Sequence, residues 1–299
     1  MPLDLVEKIL DEIASEVFRS KHSVTRMSIS ENGDAFLNPN FIDIVRTIKR
    51  IAPWIAVTIS ANFQHFTKDK AEILLGEKLI DAFHCSIDAS TEANSIAVGG
   101  LGIDRLRRNI EDFLTVRRDV KSCTPLTVSV LTLETYVSTV NETLGLTPAK
   151  FEGDLSDYSR NEYPRLRDAW SRFLDPEIDT ILECPTIGFW AERGQIDTNS
   201  IDYASCSCPL MDRVRHEAFI APDGRWYACC LDDMNFHVMG NVALQLLDSV
   251  FESPVRKTFI AGLENKAFAR LGGPCATVNC CQGISRGNKI DLMKKAAPI

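Results

Sequence analysis

The last third of the chain is organised around the stretch Ala221-Pro-Asp-Gly-Arg-Trp-Tyr-Ala-Cys-Cys230. Its Pro-Asp-Gly run predicts a β-hairpin, because aspartate and glycine tolerate the backbone angles that tight turns require. Cys208 lies before this hairpin and Cys229 lies on its returning strand. We therefore expect the two thiolates to face one site.

Seven of the ten cysteines fall between residues 206 and 281, and the last of these occur in Gly272-Gly-Pro-Cys-Ala-Thr-Val-Asn-Cys-Cys281. Four thiolates gathered by short loops suit either a structural zinc ion or an iron–sulfur cluster, and both interpretations stay open. The sequence does not decide between the last two cysteines. The predicted ligands are Cys208, Cys229, Cys275 and one of Cys280 or Cys281.

Composition limits the class of protein. A net charge of −8 argues against binding to nucleic acid or to an anionic membrane, since both require a basic surface. No apolar run approaches the roughly 18 residues of a membrane helix, and the N-terminus does not resemble a secretory signal. Ten cysteines in such a chain favour metal chemistry in a reducing cytosol over disulfides, so a cytoplasmic location is predicted.

The first two thirds of the chain alternate strands and helices. Apolar, β-branched runs predict five strands, each separated from the next by a helical pattern, and this alternation favours parallel βαβ units in an open or closed barrel. The pattern changes to cysteines and turns near Gly194, so two domains are predicted, 1–194 and 195–299. The predicted strands are 24–30, 54–60, 80–87, 126–133 and 178–182.

Small polar and acidic residues end three successive strands, in 30–34, 60–62 and 86–88. The carboxyl ends of parallel strands meet at one edge of a barrel, where these side chains are able to bind a polar cofactor. Loops and helix N-caps are built from the same residue types, so a purely structural role also explains these strand-end residues.

These motifs resemble the radical S-adenosylmethionine (AdoMet) enzymes that carry a C-terminal SPASM or twitch domain. Asn32-Gly-Asp-Ala-Phe-Leu-Asn-Pro39 is similar to a Gly-Gly-Glu-Pro segment whose acidic residue holds the methionyl amine, and 60–62 and 86–88 resemble two further strand ends of the family. The spacing from Cys208 through Gly224 to Cys229, followed by the Gly-Asn of 239–242, resembles the auxiliary-cluster domain.

The resemblance implies a partial (β/α)6 parallel barrel that lacks its first strand, followed by a small cysteine-rich α+β domain with a β-hairpin. It also implies an auxiliary [4Fe-4S] cluster bound by the predicted cysteines, and an electron donor such as flavodoxin or ferredoxin. The substrate that the resemblance implies is a small molecule or a peptide. The implied cofactor-binding residues are Gly33, Asp34, Ser60, Asn62, Ser86 and Asp88.

The sequence departs from the family at several positions. Asp34 stands where the family has glutamate, Ala35 replaces a proline and Phe63 a glycine. No Cys-x-x-x-Cys-x-x-Cys triad occurs in the 299 residues. The first strand and its cysteine loop are therefore expected to lie upstream of residue 1 or to have been lost, and binding of AdoMet should be weak or absent.

Two functions follow from this comparison. The first is a radical AdoMet oxidoreductase or modifying enzyme, truncated and inactive as given, and active if the N-terminal cluster segment is restored. The alternative is a non-catalytic binding or scaffold protein, stabilised by zinc or by an iron–sulfur cluster and derived from the same fold. The sequence does not identify the substrate or the oligomeric state.

Overall fold

The computed structural model describes residues 1–29, 34–87, 91–92, 95, 102–132, 165–185, 203–208, 210–230, 232 and 236–276. The chain divides into two compact units. The barrel-like unit is Ile13–Thr186, and the C-terminal unit combines Met1–Glu12 with Ile187–Ile299. The predicted boundary at residue 194 falls outside the described residues and stays a prediction.

The barrel-like unit contains a parallel sheet whose five strands follow one another in sequence order. This α/β architecture confirms the predicted fold class. The strands are β1 (Arg26–Ile29), β2 (Ala56–Ala61), β3 (Ala82–Ser86), β4 (Leu126–Thr132) and β5 (Thr180–Pro185).

Helices precede the sheet and connect its first four strands. A 3-10 turn, Ala35–Leu37, begins at the N-cap Asp34. The α-helices are α1 (Leu3–Ala14), α2 (Glu16–Arg19), α3 (Phe41–Ile51), α4 (Lys68–Gly76) and α5 (Ile103–Asp119).

The C-terminal unit contains a three-stranded antiparallel sheet, and its first two strands form the predicted hairpin. Gly224 makes the turn possible: its φ is +86°, and a Cβ there would lie 2.7 Å from Asn241 Oδ1. The elements are α6 (Met211–His216), β6 (Phe219–Ile220), β7 (Arg225–Tyr227), β8 (Val238–Asn241), α7 (Leu247–Phe251), α8 (Pro254–Glu264) and α9 (Phe268–Leu271), with 3-10 turns at Tyr203–Ser205 and Gly273–Ala276.

The start of α1 forms hydrogen bonds with the segment that follows β8. Lys8 Nζ donates to the carbonyls of Val242, at 2.7 Å, and Gln245, at 3.0 Å, while the Glu12 carboxylate accepts the Leu247 N–H at 2.6 Å. These bonds fix the loop that follows β8, so the start of the chain forms part of the C-terminal unit.

The parallel sheet has one apolar and one polar face. Val57 and Ile59 on β2, with Phe83 and Cys85 on β3, point to the same side and are buried. Buried phenylalanines cover this side; the rings of Phe83 and of Phe113 on α5 lie 5.1 Å apart, edge to face. The helices therefore pack on the apolar face, and strand alternation places the polar residues opposite.

Candidate cofactor and cluster sites

The polar face of the sheet carries hydroxyl groups and one imidazole. Ser60 on β2 is in register with His84 on β3, and Ser60 Oγ lies 2.7 Å from His84 Nδ1. Ser86 is in register with Ser129 on β4, and their hydroxyl oxygens are 3.4 Å apart. Two of the predicted cofactor-binding residues, Ser60 and Ser86, thus lie on this face on adjacent strands.

Burial lowers the pKa of the His84 imidazole, because a charged ring loses more hydration than a neutral one. His84 is therefore neutral near pH 7. No local motif marks this residue as functional, although its place between the buried Phe83 and Cys85 indicates that it faces the opposite side of the sheet.

The turn after β2 has a left-handed backbone conformation, which glycine adopts readily, at a position that is not glycine. Asn62 Oδ1 accepts the Gln64 N–H at 3.1 Å, and Phe63 has a φ of +59°. This left-handed conformation is costly for a bulky residue. Asn109 on α5 helps to hold it by donating from Nδ2 to the Phe63 carbonyl at 2.7 Å, and the Phe63 ring is fully buried. Phe63 thus keeps a backbone conformation that favours the glycine it replaces.

The hydrogen bonding of the Asp34 carboxylate shows whether this residue is suited to bind the amine of AdoMet. Its Oδ1 accepts the Phe36 N–H at 2.9 Å, whereas its Oδ2 is buried and has no hydrogen-bond partner within the described part of the chain. A buried, unsatisfied oxygen costs about 1–3 kcal/mol, and a cationic amine is the kind of group that would satisfy it. Asp34 therefore fits the predicted role. Gly33 and Asp88 lie outside the described residues.

The cysteines of the C-terminal unit lie on three segments. Cys206 and Cys208 precede α6, Cys229 and Cys230 follow β7, and Cys275 lies in the 3-10 turn Gly273–Ala276. All five are thiols, and Cys206, Cys229 and Cys275 are buried. Burial also raises the pKa of the Cys208 thiol, an effect that the Leu210 N–H partly offsets.

Hydrogen bonds connect the three cysteine segments. The Tyr203 hydroxyl donates to the Ala276 carbonyl at 2.9 Å, which joins the first segment to the third. His237 Nε2 lies 3.2 Å from the Gly272 carbonyl, and the Ala228 N–H donates to the His237 carbonyl at 3.1 Å, which joins the second segment to the third. The loops that carry the predicted ligands are therefore fixed to one another.

An arginine joins the first segment to the second. Arg213 on α6 donates from Nη1 to Cys230 Sγ at 3.0 Å, and it pairs with Glu217 at 2.7 Å. No local sequence pattern predicts this contact, because Arg213 and Cys230 are 17 residues apart. A guanidinium beside sulfur stabilises negative charge on the thiol.

The described residues do not by themselves form a complete metal site: among them, no group of three or more His, Cys, Asp or Glu side chains is placed to hold a metal ion. Cys280 and Cys281 lie outside the described part of the chain, so the predicted four-cysteine set stays a prediction. What the structure brings together is the loops that bear Cys208, Cys229 and Cys275.

Within the described ranges, no helix is sufficiently long and apolar to span a membrane.

Comparison with known families identifies the C-terminal segment. Residues 208–281 match the model of SPASM, an iron–sulfur cluster-binding domain. The match begins and ends at two of the predicted ligand cysteines, Cys208 and Cys281, and it includes the hairpin and the loops described above. No curated protein sequence matches the chain.

Solved structures share the fold of nearly the whole chain. Selenomethionine BtrN in an open conformation is 14% identical, with a TM-score of 0.50, over 93% of this chain and 79% of BtrN. Native anSMEcpe with bound AdoMet is 13% identical, with a TM-score of 0.51, over 88% of this chain and 75% of anSMEcpe. The chain thus shares the fold of these two structures and matches the SPASM iron–sulfur domain over residues 208–281, in agreement with the resemblance seen in the sequence.

Proposed function

We propose that this chain is the barrel and SPASM portion of a radical AdoMet oxidoreductase or modifying enzyme. The observation that carries the proposal is the SPASM match at residues 208–281, placed after a parallel sheet with a polar face. In a complete enzyme of this class, AdoMet bound beside a reduced iron–sulfur cluster would supply the radical that removes a hydrogen atom from the substrate.

The roles of this chain's own residues follow from their positions. Asp34 would hold the amine of AdoMet, and Ser60, Asn62 and Ser86 would offer hydrogen bonds to its hydroxyl groups. The C-terminal cysteines would hold an auxiliary [4Fe-4S] cluster, whose potential depends on burial and on hydrogen bonds to sulfur. Arg213, which donates to Sγ of Cys230 beside the predicted ligand Cys229, would contribute positive charge near the cluster. A flavodoxin or ferredoxin would supply the electrons, in the cytoplasm.

The auxiliary cluster is the first test. After anaerobic reconstitution, the purified chain is expected to contain about four iron and four sulfide ions, the stoichiometry of one cubane cluster. Cys229→Ser should lose most of this iron, because three protein ligands hold the cluster less tightly than four. Iron and sulfide analysis with the visible absorption spectrum provides the measurement.

Cys123→Ser is the matched control, since Cys123 is exposed and lies in the other unit. Cys280→Ser and Cys281→Ser, compared with each other, would show which of the two is a ligand. One zinc ion per chain with no sulfide would contradict the iron–sulfur assignment and favour the zinc site.

AdoMet binding is the second test. Asp34→Asn keeps an oxygen that accepts the Phe36 N–H but removes the charge, so the turn should persist while the amine loses its partner. A charge-assisted hydrogen bond contributes roughly 1.5–3 kcal/mol, so we expect affinity to fall about 10- to 150-fold. Isothermal titration calorimetry at millimolar AdoMet measures the change.

The exposed Asp43→Asn on α3 is the control for the change in net charge. Asp34→Ala should abolish whatever binding remains. If the unaltered chain shows no heat of binding at millimolar AdoMet, or if Asp34→Asn binds as well as the unaltered chain, the role assigned to Asp34 is wrong.

A metal-stabilised scaffold without catalysis is the second candidate. One specific observation favours it: the 299 residues contain no Cys-x-x-x-Cys-x-x-Cys triad to hold the cluster that reduces AdoMet. In that case the C-terminal metal would contribute stability alone, and its removal would unfold the C-terminal unit.

A further inference from the structure

His84 lies on the polar face of the sheet, on β3 between β2 and β4. The flanking strands present Thr58 and Ser60 on one side and Thr127 and Ser129 on the other. Neither strand places a charged side chain on this face within the described residues. The nearest charged strand residue on the same face is Arg26, two strands away on β1 and exposed to solvent. His84 is therefore surrounded by hydroxyl groups.

The two ring nitrogens of His84 have different environments. Nδ1 lies 2.7 Å from Ser60 Oγ, whereas Nε2 makes no hydrogen bond with any described residue. A neutral imidazole has one nitrogen that carries a proton and one that accepts a proton. The hydrogen-bond partner of one nitrogen therefore determines whether the other is a donor or an acceptor. If Nδ1 donates to Ser60, Nε2 is left as a base that a ligand can reach.

We propose that His84 is the proton acceptor of the polar face, with Ser60 holding the ring in its Nδ1–H form. Its Nε2 would contact a hydroxyl or thiol of a ligand bound against the sheet. This inference rests on the proposed function and adds a residue to it. Its site is in the barrel-like unit, separate from the cysteine segments.

The proton balance of an oxidation explains why such a base is needed. When H–C–OH becomes C=O, or H–C–SH becomes C=S, the ligand loses a hydrogen atom, an electron and a proton. In an enzyme loaded with its cofactors, the radical that AdoMet supplies would take the hydrogen atom and the auxiliary cluster would take the electron. The proton requires an acceptor, and among the described residues of this face Nε2 of His84 is a neutral base near pH 7.

The tautomer of His84 tests the proposal in the chain as it exists. Long-range ¹H–¹⁵N spectra of histidine-labelled protein resolve the two nitrogens of each ring, and His84→Gln assigns one set among the five histidines. We expect the Nδ1–H form at pH 7 and a pKa below the ordinary value of about 6.5. Ser60→Ala should remove the preference for Nδ1–H.

His216 serves as an internal reference. Its side chain is exposed, and its Nδ1 lies 2.9 Å from the Asp212 carbonyl, which can only accept a hydrogen bond. We therefore expect the spectrum of His216 to supply reference shifts for a ring whose Nδ1 carries a proton. If His84 instead shows the Nε2–H form in the unaltered chain, it cannot accept a proton at Nε2 and the proposal is overturned.

Ligand contact is tested with two uncharged probes at millimolar concentration. Myo-inositol supplies hydroxyls and N-acetylcysteine amide supplies a thiol, so the comparison separates the two sources of the proton. We expect at least one probe to shift the Nε2 signal of His84 while leaving His216 unchanged. A His84 signal unmoved by both probes would overturn the ligand contact. Neither experiment requires a cluster or AdoMet, so failure here is distinguishable from failure of the proposed function.

Discussion

Replacing Asp179 by alanine is expected to destabilise the barrel-like unit by about 3–5 kcal/mol, the usual cost of removing one partner of a buried ion pair. The Asp179 carboxylate accepts two hydrogen bonds from Arg117, at 2.5 and 2.7 Å, and both side chains are buried. It also accepts the backbone N–H groups of Leu126 and Asp175, each at 2.9 Å. The substitution leaves these donors without an acceptor and Arg117 buried as an unpaired charge.

Urea denaturation followed by fluorescence and circular dichroism measures this loss. Arg118→Ala is the matched control, because Arg118 is the next residue on α5, and its ion pair with Asp119 is exposed. Such surface pairs contribute about 0–1 kcal/mol. A loss of less than about 1 kcal/mol for Asp179→Ala would show that the pair does not fix β4 and β5 as the structure implies.

The sequence predicted the elements around this ion pair but not the pair itself. The apolar runs indicated β4 and β5 correctly to within a few residues, since strand periodicity is a local property. Arg117 and Asp179 are 62 residues apart, and no short pattern connects them. They meet because Arg117 lies at the end of α5, just before β4, and Asp179 directly precedes β5, which pairs with β4 in parallel.

The N-terminus shows a second limit of periodicity. The apolar spacing of Leu5, Ile9, Ile13 and Val17 predicts one continuous helical face, with Asp4 as its N-cap. In the structure α1 begins at Leu3 and ends at Ala14, and Ser15 caps a separate helix by accepting the Phe18 N–H. Val17 is consequently 69% exposed. A serine that can cap a new helix interrupts a pattern that spacing alone treats as continuous.

In the candidate sites, too, local features were predictable from the sequence and long-range contacts were not. The hairpin and the identities of Ser60 and Ser86 followed from local sequence and from resemblance. The buried unsatisfied oxygen of Asp34, the Ser60–His84 contact and the Arg213–Cys230 contact depend on distant parts of the chain coming together. Strand register explains why His84 was missed: its hydrogen-bond partner, Ser60, lies on the neighbouring strand and not in its own segment.

A form of the protein that supplies a Cys-x-x-x-Cys-x-x-Cys segment upstream of Met1 is expected to cleave AdoMet, whereas the 299-residue chain should not. Cleavage requires an electron delivered to the sulfonium from an iron atom with an open coordination position. The predicted auxiliary site uses four cysteine thiolates and leaves no such position. The assay is reductive formation of 5′-deoxyadenosine under anaerobic conditions, and we expect the short chain to give no product above the background of reductant alone.

Two variants of the extended form make this comparison specific. Replacing the three triad cysteines by alanine should reduce cleavage to background while leaving the auxiliary iron in place. Asp34→Asn should lower cleavage at subsaturating AdoMet in proportion to its loss of affinity, because it weakens binding and not electron transfer. Equal rates from the short and the extended forms would show that the missing triad is not what limits the reaction. If the DNA upstream of the Met1 codon encodes no such triad, the scaffold function becomes the better description, because AdoMet would then have no cluster from which to receive an electron.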